Sequence, residues 1–308
     1  MTREDLTLPS SAAGHSIHAV HWEPESEPRA VLQIAHGMSE HIGRYEDFAA
    51  YLTERGFAVA GHDHLGHGGS VRTPDDLGFF ADEDASDALL RDMKAVTLAA
   101  KQRNPGIPVF LFGHSMGSVF TRRYMALYGG EIAGAVIAGT PWVPPVLAET
   151  GLNLARFACR TKGIRSRSPL LDSLTLGKNA GAFKEEGPLA WLTSDPAVIA
   201  AYEADPLCGF FFTAGAYRDF YTILSSVARE EEFDSIRRSL PVLVTSGELD
   251  PVGGASAVRR LTERYRRLDF ADVTEKIFPG GRHEILNERN RADVYAFISG
   301  WMEKRIRK

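Results

Sequence analysis

A serine in Gly113-His114-Ser115-Met116-Gly117, a carboxylate further along at Asp250 and a histidine beyond it at His283 are the residues whose types and order could perform nucleophilic chemistry. A serine hydroxyl attacks a carbonyl only when a base removes its proton, and the base needs an acid to fix its tautomer and stabilise the imidazolium. Of the 10 histidines, nine lie between His15 and His114, so His283 is the single candidate base after Ser115. The Gly-x-Ser-x-Gly spacing suits a tight strand-to-helix turn, for which the chain order is serine, acid, histidine. Asp250 is favoured as the acid because Pro251 and Gly253-Gly254 make a turn that can hold a short side chain, with Glu248 as the alternative. Acyl chemistry also needs oxyanion donors, and the backbone N–H groups of Met38, after His36-Gly37, and Met116 are the candidates.

These residues need elements to position them. Short apolar runs at Val31–Ala35, Phe57–Gly61, Val109–Gly113, Ala133–Ala138, Val242–Ser246 and Val273–Phe278 read as strands buried on both faces. Segments with helical spacing lie between them, at Tyr45–Arg55, Ser86–Arg103, Met116–Tyr128, Ala255–Arg267 and Arg289–Lys304. The alternation predicts an α/β fold with a mostly parallel, doubly wound sheet. Leu6–Pro9 and Ser16–Trp22 read as a leading antiparallel hairpin. After Gly139 the alternation stops until Pro241, so residues 1–140 and 238–308 are expected to form the core and 141–237 a mainly helical cap. Within that insertion Leu152–Cys159, Trp191–Tyr202 and Tyr217–Ala228 carry the helical spacing.

The 308 residues carry 35 Lys+Arg against 40 Asp+Glu, a net charge of −5 that supplies no broad cationic field, so no nucleic-acid partner is expected. The two cysteines, Cys159 and Cys208, cannot build a disulfide framework and read as reduced thiols. With no apolar run after Met1-Thr2-Arg3-Glu4-Asp5 of the kind a signal peptide requires, a cytoplasmic location is expected. No cofactor or metal is expected. His62-Asp63-His64-Leu65-Gly66-His67 approximates a dinuclear-metal loop, but Gly66 stands where that motif has an aspartate. Neither His36 nor His41 sits in an i, i+4 histidine pair with a carboxylate nearby in sequence to complete a metal site.

The block His36-Gly37-Met38-Ser39-Glu40-His41-Ile42-Gly43-Arg44-Tyr45, the Asp63–Ser70 loop, the Ser115 motif, and Asp250 with His283-Glu284 together resemble the α/β-hydrolases of the monoacylglycerol lipase and lysophospholipase group, also grouped as serine aminopeptidase-like hydrolases. The resemblance implies an α/β-hydrolase fold, with Ser115 as nucleophile, His283 as base, Asp250 as orienter and Met38 and Met116 at the oxyanion. It implies a cytoplasmic carboxylic ester hydrolase acting through an acyl-enzyme on a small single-chain acyl ester. Trp142, Leu147, Leu152, Phe157, Phe211 and Phe212 are expected to line the acyl pocket, although each could equally belong to the core of the cap itself. Arg156, Arg160, Lys162, Arg165 and Arg167 could bring the cap into transient contact with a membrane surface, or form a solvated helix face. An amidase or aminopeptidase on the same residues is the alternative, and would need a cap carboxylate among Glu185, Glu186, Glu203 and Asp205 to face the serine. A non-catalytic hydrolase-like binding protein is the distant one.

Overall fold

The computed structural model describes residues 1–83, 85–177, 179–229 and 231–306. Its eight strands are β1 (Thr2–Pro9), β2 (Ser16–Glu23), β3 (Ala30–Ala35), β4 (Phe57–His62), β5 (Val109–His114), β6 (Gly134–Ala138), β7 (Val242–Gly247) and β8 (Val273–Phe278), in the spatial order 1-2-4-3-5-6-7-8. From β4 to β8 every pairing is parallel, and β2 joins β4 antiparallel. The central strands are buried along their whole length, which is why their apolar runs are continuous rather than alternating. Gln33 is the polar interruption in β3, and its amide is satisfied by Met93 O and Thr97 Oγ1. β1 begins four residues before its expected start, because its polar residues Thr2–Asp5 lie on an exposed sheet edge and leave no apolar run to read.

Helices cover both faces. α1 (Glu46–Thr53) and α9 (Arg291–Ile306) lie on one, where Phe48, Leu52, Val294 and Trp301 pack on Phe110, Phe112 and Leu243. α2 (Ser86–Arg103), α3 (Met116–Tyr128) and α8 (Gly254–Arg267) cover the other. Between β6 and β7 the chain adds α4 (Pro145–Lys162), α5 (Pro169–Asp172), α6 (Pro196–Ala204) and α7 (Ala214–Ala228), and no sheet strand among the described residues. α4 and α7 pack on each other, Tyr217 and Tyr221 meeting Leu152 and Ala155 in a cluster continuous with the α2–α3 face. The helix expected over Trp191–Tyr202 starts only at Pro196. Asp195 caps it by accepting from Ala197 N at 3.0 Å, and Pro196, which lacks an N–H, fits the first turn.

Strand order reverses at β3: the chain moves from β3 outward to β4, then returns to β5 on the other side. The loops leaving the carboxyl ends of β3 and β5 therefore flank a topological switch point, where α/β sheets bind ligands. Those loops carry Met38 and Ser115.

Candidate active site

Ser115 joins β5 to α3 with φ 50° and ψ −116°, a left-handed backbone conformation that costs a non-glycine residue strain. The turn is possible because its flanks are bare. A Cβ on Gly117 would stand 2.1 Å from Ala35 O, and one on Gly113 would stand 2.3 Å from both Gly117 O and Thr121 Oγ1. Backbone bonds from Ser115 N to Ala138 O (3.0 Å) and from Ser118 N to Ser115 O (2.9 Å) lock the turn.

His283 lies on the loop after β8 and is fully buried, with Nδ1 2.9 Å from Asp250 Oδ1. Asp250 also accepts from Ser246 Oγ at 2.6 Å and Val252 N at 2.8 Å. Burial would raise the Asp250 pKa, but the attraction of His283 and these hydrogen bonds hold it well below the usual carboxylate range. For His283, burial favours the neutral ring, and the charge and hydrogen bond of Asp250 outweigh it, leaving the pKa above the ordinary 6.5. Glu248, the alternative acid, is exposed and accepts from Gly280 N at 3.1 Å instead. His114 and Trp191 cover the ring of His283, with centroids 4.7 and 5.1 Å away.

The loop after β3 runs beside the serine: a Cβ on Gly37 would lie 3.4 Å from Ser115 Cβ. Gly37 N donates to Glu40 Oε1 at 2.6 Å, and Ser39, at φ 56°, donates its N–H to His67 Nε2 at 3.3 Å. The Met38 and Met116 N–H groups donate to no described group. The ring of His114 lies against His283 and beside Gly37, so the loop after β3, the serine turn and the imidazole are neighbours.

Three charged residues beneath the site were not assigned a role from their types. Buried Glu40 and Glu284 share Arg44, with bonds of 2.7 Å to Glu40 and 2.8 and 2.7 Å to Glu284. Arg44 thereby joins the Met38 loop to the residue next to His283. Burial would raise the Glu284 pKa, but Arg44 lowers it to about 2. The His36-to-Tyr45 block contained this signal as the spacing of Glu40 and Arg44, one helical turn apart. A second tie comes from the insertion: His283 N and Glu284 N donate to Trp191 O (3.3 Å) and Leu192 O (2.7 Å), and Arg282 Nη2 lies 2.8 Å from both carboxylate oxygens of Glu186.

The six expected pocket residues are scattered in environment. Leu152 and Phe212 are buried, Phe212 against Phe80 and Tyr217. Trp142 instead lines a cleft of about 240 Å³ with Arg122, Pro144, Pro145 and Phe233. Leu147, Phe157 and Phe211 are 60, 66 and 57% exposed, so these three do not form the enclosed wall expected of them; the buried faces of α4 and α7 are taken by Ala148, Leu152, Tyr217 and Phe220. Of the insertion's bases, Arg165 pairs with Asp76 at 2.8 Å and Arg167 donates to Leu77 O at 2.9 Å, so these two are tied to the core. Asp205 and Glu186 are likewise engaged, with His41 and Arg282.

Residues 26–290 match the model of the serine aminopeptidase S33 family of hydrolases. The chain belongs to this family. It is 30% identical to a monoacylglycerol lipase of Mycolicibacterium smegmatis over 91% of this chain and 90% of that protein. A human monoglyceride lipase is 27% identical over 98% of this chain and 91% of its own length. Among solved structures, a thermostable carboxyl esterase of Bacillus coagulans in complex with glycerol superposes with a TM-score of 0.91 at 27% identity, covering 99% of both chains. This α/β-hydrolase is therefore one of the monoacylglycerol lipase-like group.

Proposed function

We propose that Ser115 is the nucleophile of a carboxylic ester hydrolase, with His283 as its general base, Asp250 as the orienting acid and the N–H groups of Met38 and Met116 as the oxyanion donors. The observation that carries this reading is the 2.9 Å Asp250–His283 pair, set beside a strained serine turn at the sheet's switch point. His283 takes the hydroxyl proton as Ser115 attacks the carbonyl, and returns it to the departing alcohol. Water then attacks the acyl-enzyme, with His283 again as base. Because Asp250 accepts from Nδ1–H, the ring presents Nε2 as the acceptor for this step.

The favoured substrate is a monoacylglycerol or a similar single-chain ester. Its support is the similarity to lipases of that class and to an esterase bound to glycerol, the alcohol such a substrate releases. In this reading the 141–237 insertion is the cap. Its exposed Val146, Leu147, Phe157, Leu170 and Leu174, with Arg156, Arg160 and Lys162 on α4, would carry transient contact with a lipid surface. No helix of the described residues is long and apolar enough to cross a membrane. Amide hydrolysis is disfavoured, since Glu186 and Asp205 already pair with Arg282 and His41 rather than waiting for a substrate amine.

A fluorophosphonate probe tests the nucleophile: labelling should be lost in Ser115→Ala, and labelling that survives there overturns the assignment. Turnover of p-nitrophenyl esters from acetyl to palmitoyl, of 1-monoacylglycerol and of aminoacyl amides tests the substrate. Monoacylglycerol should be preferred; faster cleavage of the amides would overturn the ester reading.

A further inference from the structure

His41 on the loop after β3, and Asp205 and Cys208 on the turn after α6, take no part in the chemistry above. They offer an imidazole nitrogen, a carboxylate oxygen and a thiol sulfur, all within 4.8 Å of one another. We propose that these three side chains bind a borderline-soft divalent cation of the zinc type, latching the turn after α6 onto the 36–41 loop.

The donor set selects the metal. One nitrogen, one oxygen and one sulfur, with a water in the fourth position, suit tetrahedral zinc, whereas calcium and magnesium require oxygen ligands. Local charge favours a cation as well. Buried Glu40 and Glu284 share the single Arg44 guanidinium, and Asp205, which lines the same cleft as Arg44, pairs with His41 instead. That cleft, of about 190 Å³, is lined by Arg44, Val198, Ala201, Tyr202, Asp205 and Asn287, and His41 and Cys208 are half-buried.

The ligands are also already held in place, which reduces the ordering cost of binding. Leu207 N donates to Asp205 Oδ1 at 2.8 Å and Cys208 N to Asp205 O at 3.0 Å, fixing the turn. Gly209 N and Tyr202 OH both donate to Ser39 O at 2.9 Å, holding that turn against the loop. In the metal-free state Gly43 N donates to His41 Nδ1 at 3.2 Å, so Nε2 carries the ring proton and donates it to Asp205 at 2.8 Å. Binding through Nε2 transfers that proton to Nδ1, breaks the long Gly43 bond, and releases the Cys208 thiol proton to solvent. Because Ser39 adjoins Met38, the cation would stiffen the segment beside the proposed oxyanion donor; that consequence alone rests on the hydrolase reading.

The full chain titrated with Co²⁺ should develop a thiolate-to-metal absorption band that saturates at a single equivalent and is displaced by Zn²⁺ but not by Ca²⁺ or Mg²⁺. Cys208→Ser should abolish the band, Asp205→Asn should weaken binding at least about tenfold, and Cys159→Ser should leave it intact. No thiolate band in the unsubstituted protein, or a band that survives Cys208→Ser, overturns the site. Alkylation of the unsubstituted protein, mapped by peptide mass, needs no variant to fold: Zn²⁺ should protect Cys208, and equal alkylation with and without Zn²⁺ overturns the proposal. A failure of Ser115 to react with the fluorophosphonate would leave both readouts unchanged, so the two readings fail separately.

Discussion

His283 and the group formed by His36, His62, His64 and His67 are all buried, yet their pKa values are shifted in opposite directions. Desolvation lowers the pKa of His36 and His62 to about 4 and of His67 to about 3, whereas His283 is raised because Asp250 lies against its ring. The hydrogen bonds of the first group agree. His36 donates from Nδ1 to Gly37 O at 2.7 Å and accepts at Nε2 from His64 N at 3.0 Å, a pattern that only the neutral ring can satisfy. His67 does the same between Leu65 O and Ser39 N. Burial by itself thus makes imidazole a fixed neutral brace, here for the 36–39 loop, and a buried carboxylate partner makes it a base. In the proposed mechanism His283 moves a proton, whereas His36 and His67 hold backbone groups.

The largest expected effect comes from removing the base. His283→Ala should lower kcat for a p-nitrophenyl ester by about 10⁴- to 10⁶-fold, and a near-normal rate would show that one of the neutral histidines can substitute for it. Asp250→Asn sharpens the same point by turning His283 into a buried imidazole without a charge partner. It should cost about 10⁴-fold in kcat. Since the base acts as the neutral ring, the rate should rise with pH through a midpoint above the ordinary 6.5 in the unsubstituted enzyme. In Asp250→Asn that midpoint should move to lower pH; an unmoved midpoint would mean that Asp250 does not set the His283 pKa.

Arg44 extends the contrast from imidazoles to carboxylates. Glu40 and Glu284 are buried with Arg44 facing both, so Arg44→Gln leaves two buried carboxyls without their cationic partner. The expected loss is about 3–5 kcal/mol of unfolding free energy, measured by urea denaturation. A loss below about 1 kcal/mol would mean that the two carboxyls do not depend on it.

How much of this was legible beforehand follows the same division. β3, β5, β6 and β7 were readable because strands covered on both faces carry unbroken apolar runs. Ser115 and Asp250 were readable because each follows such a run by only a few residues, and His283, which follows the half-buried and partly polar β8, because it is the single histidine after Ser115. Arg44, Glu40 and Glu284 meet across hundreds of residues of chain, so their spacing could show the Glu40–Arg44 turn but not the third member. The carboxylate that pairs with His41 is absent from its own stretch of sequence: neighbouring Glu40 turns to Arg44, and the fold delivers Asp205 from 164 positions away. The insertion was least legible. Its apolar residues divide between buried Leu152 and exposed Leu147 and Phe157, all on α4, and which face is covered depends on how α7 packs against it.

The smallest expected effect tests the neutral histidines most directly. Both ring nitrogens of His62 are buried without a hydrogen-bond partner, as are those of His64, so the polarity of these rings costs free energy that nothing among the described residues returns. His62→Leu keeps an apolar group of similar size at the end of β4 and removes two unsatisfied atoms. Stability should stay within about 1 kcal/mol of the unsubstituted protein or rise slightly, with ester turnover unchanged. The same substitution at His67 should behave differently, because it removes the acceptor for Ser39 N, and about 1–3 kcal/mol should be lost there. If His62→Leu proved as costly as His67→Leu, the ring nitrogens of His62 would have a partner such as a bridging water, and the division between bracing and unpartnered histidines would fall.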